Sequence, residues 1–208
     1  MGWYGNWAFP RLLDWTMAGE PFTQYRQQLL AEVSGHVLEL GFGTGLNLAH
    51  YPDAVEALTV IDPNPGMVAL ARDRIAASPL TVESYPLRGE SLTLPDQTFD
   101  WVVSTWTLCS IENLDQALKE VRRVLKPSGK FLFIEHGLSP DPALQTWQNR
   151  LTPLQKRIAD GCHLNRPIAD IVNRHLPLER IETFYSPGLP KVGGYFYQGL
   201  AVKSANSF

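Results

Sequence analysis

Val37-Leu38-Glu39-Leu40-Gly41-Phe42-Gly43-Thr44-Gly45 is the stretch that decides the fold of this chain. A short apolar strand, His36 to Leu40, runs into glycines at alternate positions. Such glycines let the backbone turn tightly and approach a ligand closely. Working outward, Ala57 to Ile61 is a continuous apolar strand, and Pro65 opens a helix that runs to Ile75. Leu80 to Tyr85 and Phe99 to Ser104 read as the third and fourth strands. Leu114, Leu118, Val121 and Leu125 repeat at helical spacing, and Lys126-Pro127-Ser128-Gly129 stops that helix before a fifth strand, Lys130 to Ile134. Strands that are apolar throughout, each followed by an amphipathic helix, predict a parallel sheet covered on both faces. Further on, a helix is expected from Leu144 to Ala159, broken by Pro153, and a short one from Pro167 to Leu176. Leu178 to Tyr185 and Tyr195 to Lys203 are strands whose link is too short for a helical crossover, so they form an antiparallel hairpin. The predicted fold is α/β: a doubly wound, mostly parallel, Rossmann-like seven-stranded sheet ending in an antiparallel hairpin. The aromatic-rich residues 1–33, with a helix from Gln24 to Val33, read as an N-terminal helical lid, and residues 34–208 as the main domain.

Bulk numbers narrow the function. At 208 residues, 44% hydrophobic and 19% charged, the chain suits one globular domain. A net charge of -3 without a basic stripe argues against a nucleic-acid partner. No window approaches the ~18 apolar residues of a membrane span, and no signal peptide is expected at the start. Cys109 and Cys162 stand alone in sequence. They suggest neither a metal pair nor a disulfide framework, no metal is expected, and a cytoplasmic setting is the natural reading.

Two carboxylates identify the ligand type. Asp62 ends the second strand, where an acid suits a bidentate hydrogen bond to ribose hydroxyls. Glu39 immediately precedes the glycines. A carboxylate there repels a pyrophosphate and favours a cationic nucleoside. S-adenosylmethionine (SAM) carries a ribose, an ammonium and a sulfonium but no phosphate, so the pair separates SAM from NAD.

The glycine run resembles the first motif of class I SAM-dependent methyltransferases, and Val60-Ile61-Asp62-Pro63 resembles the second. Leu94 to Val103 and Val121 to Lys130 resemble two further segments of the same family, in order; Ser128 stands where glycine is usual. The resemblance implies that Glu39, Gly41, Gly43 and Gly45 surround the methionine portion of SAM. It implies that Asp62 holds the ribose, with Pro63 and Met67 nearby. Glu90 and Ser91 fall where the family contacts adenine, and Thr105 and Trp106 near the sulfonium.

Methyl transfer is an in-line displacement, so alignment and exclusion of water matter most. His136, at the end of the fifth strand, is the best-placed base, and Asp160 a second candidate; both have ordinary structural explanations as a rim histidine and a loop acid. Cys109 reads as small core filler. Thr107 to Ser110, Glu135 to Gly137, Trp147 to Asn149 and Asp160 to Cys162 are similar to a narrower methyltransferase-like group that includes membrane-associated alkyl-thiol methyltransferases. Those carry an N-terminal hydrophobic anchor that this chain lacks, which implies a soluble relative. The expected function is methyl transfer to a small, apolar acceptor such as a thiol. The alternatives are phospholipid or quinone methylation through peripheral membrane contact, and a SAM-binding protein without catalysis.

Overall fold

The computed structural model describes residues 2–203. A short π-helical turn, Tyr4–Ala8, leads into α1 (Phe9–Met17) and α2 (Phe22–Leu30). Then follow β1 (Gly35–Leu40), β2 (Val55–Ile61), α3 (Pro65–Ala77), β3 (Val82–Tyr85), β4 (Phe99–Thr105), α4 (Leu114–Val124) and β5 (Leu125–His136). The chain continues through α5 (Pro142–Ile158), α6 (Ile168–Asn173), β6 (Leu178–Tyr185) and β7 (Tyr195–Val202). One seven-stranded sheet has the order β3-β2-β1-β4-β5-β7-β6. β1 to β5 pair in parallel, and β7 runs antiparallel to both β5 and β6. The hairpin predicted from the short Ser186–Gly194 link is present.

Chain order reverses between β1 and β4, and Leu40, Ile61, Thr105 and His136 end their strands on the same edge of the sheet. Ligand crevices in such sheets lie at this switch point. Apolar side chains that alternate along β1 separate the core into two layers. Leu38 and Leu40 pack with Val102, α4 and α6 on one face. Val37 packs with Val103, Leu132, α2 and α3 on the other.

Two local expectations are corrected. No α-helix follows β1: residues 41–54 hold the glycine turn, a 3-10 turn at Leu48–His50 and Pro52, too little chain for a crossover helix. α2 covers that face instead, with Leu29 and Leu30 fully buried. The N-terminal segment therefore supplies core as well as cover. Second, α5 is not broken at Pro153. Pro153 and Asn149, whose carbonyl loses its amide partner, are both exposed, so solvent can satisfy that carbonyl. No helix among the described residues is long and apolar enough to cross a membrane.

Candidate functional site

A cavity of about 620 Å³ opens at the switch point, walled by the ends of β1, β2, β4 and β5 together with α1, α2 and the segment after α5. The glycine turn forms its floor. Gly41 has φ +76°, and a Cβ there would lie 2.1 Å from the Thr107 methyl carbon, so only glycine fits. Gly43 points its amide at Asp62: N–H donates to Oδ2 at 2.8 Å, while the Asn64 amide donates to Oδ1 at 2.8 Å. These bonds orient the carboxylate. Burial pushes the Asp62 carboxyl above its ordinary range, against the pull of the two amides.

Glu39 lies at the other side of the turn and is 1% exposed. It accepts from Asn47 Nδ2 at 2.9 Å and from the Tyr51 hydroxyl at 2.7 Å. Burial outweighs these bonds and the nearby Arg26 charge, and pushes its carboxyl up to about 7. Arg26, on α2, is 4% exposed and lines the same end of the cavity. It donates to the Met17 carbonyl at 2.7 Å and lies over the Trp106 ring at 5.0 Å. An oppositely charged pair thus marks one end of the cavity, suited to a zwitterionic ligand. Arg26 Nε, Asn47 Oδ1 and Trp106 Nε1 are buried without hydrogen-bond partners among the described residues. Buried polar atoms normally find partners, and all three residues line the cavity. Trp106 has φ 49° and Asp160 φ 46°, strained conformations for residues other than glycine, and both line the cavity.

Of the residues singled out from sequence, Glu39, Gly41, Gly43, Asp62, Pro63, Met67, Glu90, Thr105, Trp106, His136 and Asp160 all line this one cavity. Gly45 does not: it is buried beneath the Phe42 ring, and its part is in the turn. Ser91 is exposed and lies outside the wall, its amide donating to the Arg88 carbonyl. Asp160 lies on the Asp62 side of the cavity, accepting from Nδ2 of Asn64, whose amide orients Asp62, at 3.3 Å. Arg26, Asn47 and Tyr51 escaped the sequence reading. A lone arginine on an otherwise apolar helix face was the available signal for Arg26.

The same cavity wall holds a cluster that corrects the reading of the cysteines as isolated. Cys109, on the loop after β4, His136 and Cys162, after α5, bring their ligand atoms within 4.8 Å of one another. His136 Nε2 lies 3.1 Å from Cys162 Sγ. The Cys109 sulfur and the adjacent imidazole push the Cys162 thiol down, whereas the Cys162 sulfur and burial push Cys109 up. Glu135, fully buried beneath, accepts from the amides of Cys109 at 3.1 Å and His136 at 3.0 Å.

Residues 38–133 match the methyltransferase domain family. The chain is 39% identical over 137 residues to rat thiol S-methyltransferase TMT1B, a match covering 62% of this chain and 54% of that protein. It is 37% identical over 108 residues to the ubiquinone/menaquinone biosynthesis C-methyltransferase UbiE of Geobacter sulfurreducens, covering 49% and 41%. The chain thus spans about half the length of these curated relatives. Its fold matches that of a SAM-dependent methyltransferase from Mesorhizobium loti with a TM-score of 0.64 at 20% identity, covering 86% of this chain and 96% of that one. Motif order, sheet topology and similarity agree: residues 38–133 match the methyltransferase domain family, and the chain is built on the class I SAM-dependent methyltransferase fold.

Proposed function

We propose that this protein binds SAM and methylates a small, apolar thiol. The observation that carries the reading is the pair of buried carboxylates, Glu39 and Asp62, flanking the glycine turn on one cavity. The donor set fits this cofactor. Asp62 would hold the ribose hydroxyls, Glu39 the ammonium and Arg26 the carboxylate, with Trp106 near the sulfonium and Glu90 near the adenine. Neither carboxylate suits a diphosphate. When bound, SAM supplies an electrophilic methyl group. The chain aligns the acceptor, excludes water with Phe9, Leu13, Met17 and Phe22 from the N-terminal helices, and helps the acceptor ionise. His136, on the cavity wall, would take that last role, and the thiol acceptor agrees with the name of the rat relative. The reading is tested by a panel of thiols, phenols, quinones and phospholipids with labelled SAM. Transfer to thiols supports it, and transfer to no acceptor despite SAM binding would leave a non-catalytic binding protein.

Asp62→Ala is expected to weaken SAM by ~1–3 kcal/mol through lost charge-assisted hydrogen bonds. Calorimetry giving wild-type affinity in that variant would remove the ribose assignment.

A second reading, quinone or phospholipid methylation at a membrane surface, is favoured by one feature. Trp3, Trp7 and Trp15 are 69%, 49% and 79% exposed on the N-terminal helices beside the cavity. It requires liposome binding that weakens when all three become serine; sedimentation with anionic vesicles that leaves the protein in the supernatant excludes it.

A further inference from the structure

We propose that Cys109, His136 and Cys162 form a binding site for a zinc-class divalent cation whose fourth position opens on the cavity and takes the acceptor thiolate. The three ligands come from three separate elements: the loop after β4, the end of β5 and the segment after α5. Their ligand atoms lie within 4.8 Å of one another, and the closest pair, His136 Nε2 and Cys162 Sγ, are 3.1 Å apart. Tetrahedral zinc with its usual bond lengths holds such atoms about 3.5–3.8 Å apart. Side-chain adjustments of less than an ångström therefore seat the ion. Two thiolates and an imidazole are a donor set that selects soft, borderline cations over magnesium or calcium.

The surroundings hold the ligands in place. Glu135 grips the backbone amides of two of them, Cys109 and His136. Arg166 binds the carbonyls of Leu108 and Ile111 on either side of Cys109. His163 donates its amide to the Cys109 carbonyl at 2.9 Å. Gln155 Nε2 approaches Cys162 Sγ at 3.7 Å, a placement that stabilises a thiolate. These contacts fix the backbone that carries Cys109 and His136. Charge also balances: two thiolates neutralise a divalent ion.

All three ligands line the cavity wall, so the protein supplies three positions and leaves the fourth toward the acceptor. Three protein ligands and one open position is the arrangement of catalytic rather than structural zinc. Loading releases protons from the cysteine thiols to solvent. An acceptor thiol that ligates likewise gives its proton to solvent, and its sulfur remains bound as a thiolate. The cation site stands independently of the proposed function, and the identity of the fourth ligand rests on it.

Cobalt(II) is the probe. Titration of the reduced full chain without oxygen should saturate at one equivalent, with a thiolate-to-cobalt charge-transfer band and intense tetrahedral visible bands that zinc abolishes. Cys109→Ser and Cys162→Ser should each lose charge-transfer intensity, with far-UV circular dichroism reporting their folding. A small alkanethiol should then shift the visible bands of the cobalt-loaded wild type. A reduced wild type that takes up no cobalt overturns the site, as does a charge-transfer band that survives in the doubly substituted, folded protein. Visible bands unmoved by thiol overturn the fourth-ligand assignment. Labelled-SAM transfer on the same preparation separates the two ideas: cobalt uptake without thiol methylation sinks the proposed function and leaves the cation site standing.

Discussion

Replacing His136 by alanine is expected to lower thiol methylation by roughly 10²- to 10⁴-fold, the range for a positioned group that promotes proton loss. Its SAM affinity should stay within about twofold of wild type. The split follows from the geometry. His136 belongs to the cluster with Cys109 and Cys162, whereas the nucleoside groups Glu39, Asp62 and Arg26 are held by their own contacts. Initial rates at saturating thiol, with calorimetry for SAM and a melting curve to show the fold intact, make the measurement. Wild-type turnover in a folded variant would remove His136 from the reaction, whether as base or as ligand.

The second large effect is on pH. Glu39 must be ionised to hold an ammonium, yet burial holds its carboxyl up at about 7 in the free protein. SAM binding is therefore expected to weaken about tenfold for each pH unit below about 7, and to level off above it. Because the carboxyl is half protonated at pH 7, the loss from pH 7 to pH 5 is ~50-fold. Asp62, also pushed upward by burial, steepens the low end. Calorimetry at pH 6 in buffers of different ionisation heat should report about one proton released. Glu39→Gln should bind weakly with a much shallower pH dependence. A wild-type affinity that is flat between pH 5.5 and 7 would refute this role. For the free protein the sign is opposite. The folded state binds this proton more tightly than the unfolded chain, so the contribution of Glu39 to stability is full below its ordinary value of 4.5 and declines as pH rises toward 7.

Features carried by local pattern were readable in the sequence. Apolar strands with punctuating glycines and prolines yielded the parallel core, and the short Ser186–Gly194 link yielded the hairpin. Glu39 and Asp62 were readable because each sits at a strand end, where sequence position alone specifies the sheet edge. Residues whose role depends on distant partners were not. Arg26 meets Trp106 only through packing of α2 on the sheet, and Cys109 finds Cys162 because the loops after β4 and after α5 meet over the same edge. The missing helix after β1 was hidden for a related reason. Periodicity shows which residues favour a helix, and the helix that covered this face came from the other side of the strand in sequence.

Because Leu29 and Leu30 are sunk in the sheet, the segment carrying Arg26 cannot swing aside to admit a nucleoside. Ahead of Phe22, Asp14 ties α1 to the glycine turn and to α3, accepting from the Thr44 hydroxyl at 2.5 Å and from Arg74 at 2.8 and 3.2 Å. The helix that carries Phe9 and Leu13 into the cavity wall is thus fastened by a carboxylate that lies outside that wall.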